Sequence, residues 1–138
     1  MFRVFTLIII FLFVNAEKYT YASNSSEELG SIDFSTSVSG TAQNHFLHGV
    51  AALHSFWYTE ALSAFKNSIS ADPQFAMGYW GIAMAHNHPL WEEQDSESAK
   101  AALSKIKNIS KLTQREQDYI NAIRLLYGQG EKHTRDKT

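Results

Sequence analysis

The stretch Gly49–Pro73, GVAALHSFWYTEALSAFKNSISADP, decides the fold that this sequence predicts. Apolar residues recur in and just before it at steps of three and four, the period of one face of an α-helix. The first series is Phe46, Val50, Leu53 and Trp57, and the second is Tyr58, Leu62, Phe65 and Ile69. Because the second series starts where the first ends, we expect two helices joined by a short turn.

Small and aromatic residues lie along this stretch where two packed helices need them. Gly49 and Ala61 allow antiparallel helices to approach closely, and Phe65 fills the layer beside them. We expect Asp72 to cap a third helix and Pro73 to occupy its first turn, where a missing N–H is not needed for the helix. The stretch therefore predicts a helix pair followed directly by another helix.

The third helix is expected to continue until Pro89 breaks it, within NHPLWEEQDSES. Its face carries Phe75, Tyr79, Ile82 and His86. Asp95 can cap a fourth helix, with Ala99, Leu103 and Ile106 turned inward.

Thr113 and Glu116 match a capping box, in which each side chain binds the other residue's free backbone N–H. They open a fifth helix whose apolar face holds Ile120, Ile123 and Tyr127 and which ends at Gly128 and Gly130. With no further helix after it, we expect this face to be exposed and to allow self-association.

The chain overlaps itself at an offset of 34 residues, which is the tetratricopeptide period. His54 then meets His88, and Trp57 meets Trp91. The small–Ala–Phe–Pro pattern of that repeat is given by Gly49, Ala61, Phe65 and Pro73. The aromatic, leucine and tyrosine usual in its first helix are replaced by His45, His48 and Ala52. About six or seven extra residues around Pro89 also depart from the 34-residue period.

On these motifs, and on LHSFWYTEALSAF and DPQFAMGYWGIAMAHNHPLW, the chain resembles the N-terminal part of larger exported tetratricopeptide-repeat proteins without an assigned activity. The resemblance covers roughly Ala42–Asp136 and implies an all-α, TPR-like α-solenoid at 41–130. It would contain about two antiparallel helix pairs and one unpaired helix. Because such proteins are usually much longer, residues 131–138 are expected to be a polar tail or a truncated continuation.

The N-terminus, MFRVFTLIIIFLFVNA, reads as a secretory signal. Behind Arg3, the run Val4–Val14 contains one polar residue, and it is shorter than the roughly 20 apolar residues of a membrane-spanning helix. We expect a signal peptide at 1–22, cleaved after Ala16 or Ala22, and a secreted or periplasmic product without a stable membrane span. An uncleaved membrane tether is the alternative. Residues 23–40, rich in Ser, Gly and Asn, are predicted to be a flexible linker.

Composition excludes several function classes. The chain has 12 Lys and Arg against 14 Asp and Glu, without a basic run, so nucleic acid is not an expected partner. Cysteine is absent, which excludes disulfides and thiol chemistry. No serine lies in a nucleophile elbow, and Glu92 and Glu93 fit a solvated loop, so we do not expect an enzyme. We also expect no cofactor, because His54 and His88 recur at the repeat period. Asn24 and Asn108 match the glycosylation acceptor pattern, which matters only in a eukaryotic secretory pathway.

The favoured function is a non-enzymatic scaffold that binds a protein or peptide along the concave face of stacked helix pairs. The repeat motif turns His45, His48, Gly49 and Ala52 inward, whereas apolar periodicity favours Phe46, Val50, Leu53 and Trp57. We therefore expect both faces to be partly covered. The resemblance to such repeats implies a binding groove formed by Phe46, Val50, Leu53, His54, Trp80, Met84, Asn87 and His88.

The alternative function is an exported metal-binding or metal-dependent hydrolytic protein that uses paired histidines. The candidate ligands are His45, His48, His54, His86 and His88, with Glu60, Glu92, Glu93 and Asp95 nearby. No compact motif such as H-E-x-x-H is present. Because His54 and His88 recur at a structural period, we expect them to hydrogen-bond helix-end carbonyls or a bound peptide.

Overall fold

The computed structural model describes residues 29–129, which are mostly helical, as predicted. The helices are α1 (Thr41–His54), α2 (Tyr58–Ala71), α3 (Ala76–Met84), α4 (Ser96–Leu103) and α5 (Gln114–Leu126). None of these helices is long and apolar enough to cross a membrane. The expected signal peptide, Asn24 and the expected tail at 131–138 lie outside the described residues.

A short hairpin stands between α3 and α4, where the sequence predicted only a break. Two antiparallel strands, β1 (Asn87–His88) and β2 (Glu93–Gln94), flank a 3-10 turn at Pro89–Trp91. Asn87 lies opposite Gln94, and His88 lies opposite Glu93. The extra residues expected around Pro89 thus form this hairpin.

Helices α1 and α3 both pack closely on α2, because a glycine on each of them leaves room for the Phe65 ring of α2. A Cβ added to Gly49 would lie 2.6 Å from Cε1 of Phe65, and one added to Gly81 on α3 would lie 2.3 Å from Cδ1 of the same ring. Phe65 is fully buried. The expected contact between Phe65 and the helix that carries Gly49 is therefore present, and the same ring also joins α3.

The turn before α3 differs from the prediction. Asp72 ends α2, and its carboxylate accepts a hydrogen bond from the backbone N–H of Gln74 at 2.9 Å. A turn through Pro73 and Gln74 therefore intervenes, and α3 begins only at Ala76. The expectation that Asp72 caps α3 was wrong, because the carboxylate stabilises the turn instead.

The predicted caps of the last two helices are confirmed. Asp95 accepts a hydrogen bond from the backbone N–H of Ser98 at 3.0 Å at the start of α4. Thr113 and Glu116 form the reciprocal capping box of α5. Gly128 follows α5 with a φ of 71°, the left-handed conformation that favours glycine after a helix.

The apolar face of α5 is covered, contrary to our expectation. Ile120, Ile123 and Tyr127 are all buried, and α5 packs against α3. The Tyr127 hydroxyl donates a hydrogen bond to the carbonyl of Ala83 at 2.9 Å, and burial raises the pKa of Tyr127 to about 12. These three side chains are therefore core residues, and the large exposed apolar side chains of α5 are Tyr119, Leu125 and Leu126.

The described part of the expected linker, residues 29–40, is packed on the core and is termed the N-terminal strap. Its Phe34 is buried, with ring centroids 5.3 Å from Phe46 and 5.2 Å from Tyr119. The backbone N–H and the hydroxyl of Ser37 both donate to Oε1 of Glu116 at 2.9 Å. The prediction of flexibility was wrong for this segment, because its isolated apolar residues anchor it.

Candidate functional site

Three of the eight predicted groove residues lie in the core. The exposed fractions of Phe46, Val50 and Trp80 are 0%, 2% and 6%. The Trp80 ring is covered by Phe34 of the strap at 6.2 Å and by Tyr119 of α5 at 5.5 Å. The groove prediction was wrong for these residues, since the surface they would line is covered by two other elements.

The other predicted groove residues are scattered. Leu53 and Met84 are half-buried and pack against the core. His54 is exposed at the end of α1, whereas Asn87 and His88 are half-buried in the hairpin. The eight positions therefore do not form a single groove.

Among the described residues, four of the seven large exposed apolar side chains lie where the α1–α2 turn meets the hairpin, and the other three, Tyr119, Leu125 and Leu126, lie on α5. We call Phe56, Trp57, Tyr58, Leu90 and Trp91 the aromatic patch. The exposed fractions are 51% for Phe56, 45% for Trp57, 66% for Leu90 and 56% for Trp91, and Tyr58 is half-buried. Contiguous exposed apolar surface of this kind marks interaction sites on soluble proteins.

Ring contacts hold the patch together across its two elements. Tyr58 stacks on the His88 imidazole with centroids 4.0 Å apart, and it meets the Trp91 ring edge-to-face at 5.9 Å. Phe56 lies 6.4 Å from Trp91. The hairpin and the α1–α2 turn therefore present one joined surface, because rings from both contribute to each contact.

Backbone strain is concentrated at the same place. Within residues 29–129, the non-glycine residues with positive φ are Phe56 at 60° and Glu92 at 54°. A left-handed conformation of a residue with a Cβ is unfavourable by roughly 1–2 kcal/mol. Such strain persists where the surrounding structure holds it, often at ligand-binding surfaces. Phe56 lies in the α1–α2 turn and Glu92 follows the 3-10 turn of the hairpin, so each of the two elements that carry the patch contains one such residue.

Glu60 lies on α2 close to Tyr58, Glu92 and Glu93 follow Trp91 in the hairpin, and Asp95 comes directly after the hairpin; we call these four carboxylates the acidic rim. Histidines face three of them: His48 lies 2.8 Å from Glu60, His88 lies 3.6 Å from Glu93, and His86 lies 3.8 Å from Asp95. In the described part of the chain, no Lys or Arg nitrogen lies within 4.0 Å of these carboxylates.

His86, which faces the rim, and Asp95, which belongs to it, both have shifted pKa values. Burial lowers the pKa of the His86 imidazole below its ordinary value, against the opposing effect of Asp95. Hydrogen bonds from Ser98 hold the pKa of Asp95 below its ordinary value. The lowered pKa of His86 favours its uncharged form at neutral pH, and the lowered pKa of Asp95 favours its carboxylate form.

The histidines proposed as alternative metal ligands do not converge. His48, His86 and His88 each face a different carboxylate, and His54 is exposed. Between residues 29 and 129, no three His, Cys, Asp or Glu side chains form a group able to hold a metal ion. The His88 ring nitrogen Nε2 lies 3.0 Å from the carbonyl oxygen of Ala85, so its expected contact with a helix-end carbonyl is confirmed.

An open depression of about 460 Å³ lies on the patch, lined by Phe56, Trp57, Tyr58, Thr59, Glu60 and His88. Its volume is within the range of ligand sites, but its shape is shallow. It can accept a side chain of a partner, with aromatic faces around the side chain and a carboxylate at the edge.

Sequence reasoning missed the patch because it placed Trp57 on the core-facing series of the first helix. That helix ends at His54, so the helical phase no longer applies to Phe56 and Trp57. The available signal was the recurrence of Trp57 at Trp91, both at a helix end.

Comparison of the chain with protein-family models, curated proteins and solved structures gives no match.

Proposed function

We propose that this chain is a non-enzymatic scaffold of tetratricopeptide-like helix pairs and that a peptide or protein segment docks on its aromatic patch. The observation that carries the proposal is the exposure of two tryptophans, a phenylalanine and a leucine on one surface. Trp and Tyr are enriched among the residues that dominate binding energy at protein interfaces.

The packing of the helices supports the tetratricopeptide-like part of the proposal. Helices α1 and α2 form one pair, and α3 and α4 form the next. The first helices of successive units also touch, α1 against α3 and α3 against α5. The starts of α1 and α3, at residues 41 and 76, are 76 − 41 = 35 positions apart, close to the 34-residue period.

The form of the patch favours binding over catalysis. Its depression is open, and its charged groups lie at the border, where water reaches them. Catalytic sites usually enclose the reacting atoms in a water-excluded pocket. When a partner covers a surface of exposed rings, the free energy falls, because apolar area is removed from water.

A double substitution tests the docking site. Peptides selected from a displayed random library on the wild-type chain would be measured by calorimetry against Trp57→Ala/Trp91→Ala. We expect binding to weaken roughly 30-fold or more, since truncation of a central aromatic side chain typically removes about 2 kcal/mol.

The matched control is Leu125→Ala/Leu126→Ala, which removes two exposed apolar side chains on α5, outside the patch. Its affinity should stay within about twofold of wild type, because surface substitutions away from a contact have small effects. Equal affinity of the tryptophan variant and wild type, with unchanged circular dichroism, would refute docking on the patch.

A further inference from the structure

We infer that the aromatic patch is selective for a positively charged segment, one in which Lys or Arg side chains alternate with apolar ones. This rests on the proposed function, because it names the chemistry of the segment that docks there.

The first support is the unbalanced charge around the patch. Glu92 and Glu93 follow Trp91 directly and are exposed, and Asp95 is exposed at the start of α4. The charge of Lys66 on α2 helps to lower the pKa of His86, but among residues 29–129 Lys66 forms no ion pair with a carboxylate of the rim. A segment with ammonium or guanidinium groups would supply the missing counter-charges.

The second support is the exposed ring faces themselves. A Lys or Arg cation within about 6 Å of an aromatic centroid is attracted to the ring face. This chain already uses that contact internally, since the Arg115 guanidinium lies 4.4 Å above the Phe34 ring. At the patch, a cation over Trp57 or Trp91 would face an indole and lie close to carboxylates of the rim.

The same geometry disfavours other segments. An acidic segment would bring like charges against the rim, which opposes association and slows the encounter. A neutral apolar segment would cover the rings but leave the carboxylates without a counter-charge. The expected order of affinity is therefore basic, then neutral, then acidic.

A second copy of the chain is the main competing occupant, because Lys105, Lys107 and Lys111 lie in the α4–α5 loop. That loop is held to the core: Ile106 is buried and Leu112 packs against the core cluster. It would have to leave its own fold to present an extended basic segment. We therefore assign the patch to a segment of another protein.

Three synthetic peptides test the charge selectivity. The three peptides have the same length, with two Trp and two Leu residues at the same positions. All other positions are Lys in the first peptide, Gln in the second and Glu in the third. Calorimetry on the purified chain should show the Lys peptide binding roughly tenfold or more tighter than the Gln peptide, and the Glu peptide weakest. Raising the salt from about 50 to about 500 mM should reduce this difference, because exposed charges are screened.

Rim variants locate the source of the selectivity. Glu92→Gln/Glu93→Gln should weaken the Lys peptide roughly tenfold and leave the Gln peptide within about twofold. The matched control is Asp33→Asn/Asp118→Asn, which removes the same number of exposed charges outside the rim. This control should leave both affinities within about twofold.

The outcomes separate the two proposals. If the three peptides bind equally and Trp57→Ala/Trp91→Ala weakens all of them, charge selectivity is refuted while docking on the patch stands. If the tryptophan substitutions leave every affinity unchanged, docking itself is refuted. Failure of the Lys peptide to bind also overturns the inference. Salt-sensitive self-association of the chain would overturn it too, if the triple substitution Lys105→Ser/Lys107→Ser/Lys111→Ser abolishes that self-association.

Discussion

At the scale of single residues, Gly49 and Gly81 determine how closely three helices approach the Phe65 ring. Replacing a helical glycine with alanine usually stabilises a helix by roughly 0.5–1 kcal/mol. Here the added methyl would meet Phe65 at 2.6 Å or less. We therefore expect Gly49→Ala and Gly81→Ala each to lower the free energy of unfolding by about 1–3 kcal/mol.

Urea unfolding of the single and double variants checks this prediction. The double variant Phe65→Leu/Gly49→Ala should lose less free energy of unfolding than the two single variants lose together, because the smaller side chain at position 65 relieves the overlap. An increase in stability on Gly49→Ala would contradict the close packing.

Glu116 holds the strap and the α5 cap at the same time. Its Oε1 accepts two hydrogen bonds from Ser37, and its Oε2 accepts the N–H and hydroxyl of Thr113 at 3.0 and 2.8 Å. Glu116→Gln would point an amide NH2 at donors, so we expect a loss of about 1–3 kcal/mol. The exposed Asp118→Asn on the same helix should change the free energy of unfolding by less than about 0.5 kcal/mol.

Glu116 also predicts a pH dependence of stability. Burial raises the pKa of its carboxyl, but hydrogen bonds from Ser37 and Thr113 outweigh that effect and bring the pKa below the ordinary 4.5. The stabilisation is therefore complete above about 4.5 and is lost as the pH falls through the lowered value. Thermal melting between pH 3 and 7 should show wild type losing more stability than Glu116→Gln; parallel curves would refute this role.

Residues whose role depends on near neighbours were predictable from the sequence. Asp95, Thr113 and Glu116 cap helices by binding backbone groups three positions away, so local spacing was sufficient for the caps, whereas the bonds from Ser37 to Glu116 span 79 positions and were not predicted. The positions of Phe46 and Trp80 were not predictable, because their burial depends on Phe34 and Tyr119, which are distant in sequence.

At the scale of elements, the N-terminal strap completes the core. Phe34→Ala would remove a ring that contacts both α1 and α5, so we expect a loss of about 3 kcal/mol. Thr36→Ala, which removes the hydrogen bonds of the half-buried Thr36 hydroxyl to Gln43 on α1 and to Val38, should lower the free energy of unfolding by about 1 kcal/mol. Thermal unfolding measures both, and equal small losses would indicate that the strap only covers the surface.

The fifth helix and the hairpin show where pattern reasoning stops. The apolar face of α5 was predicted correctly, with Ile120, Ile123 and Tyr127 inward. Its partner was not predictable, because periodicity marks a face but does not say which helix covers it. The hairpin at 87–94 was expected only as a break, since two-residue strands carry no periodic signal.

At the scale of the whole molecule, export remains a prediction that rests on residues 1–22. The short apolar run behind Arg3 and the small residues before Glu17 and Ser23 motivate it. N-terminal sequencing of the chain made in its native cell should start at Glu17 or Ser23. A product that begins at Met1 in the membrane fraction would show an uncleaved tether instead.

The most direct test of docking on the aromatic patch uses the three tryptophans, of which Trp57 and Trp91 are exposed and Trp80 is buried. Indole N–H resonances of the 15N-labelled chain, assigned with single Trp→Phe variants, would be followed while a library-selected peptide is added. We predict that the Trp57 and Trp91 signals shift in a saturable manner and that Trp80 stays in place. A saturable shift of Trp80, with Trp57 and Trp91 unmoved, would contradict docking on the patch.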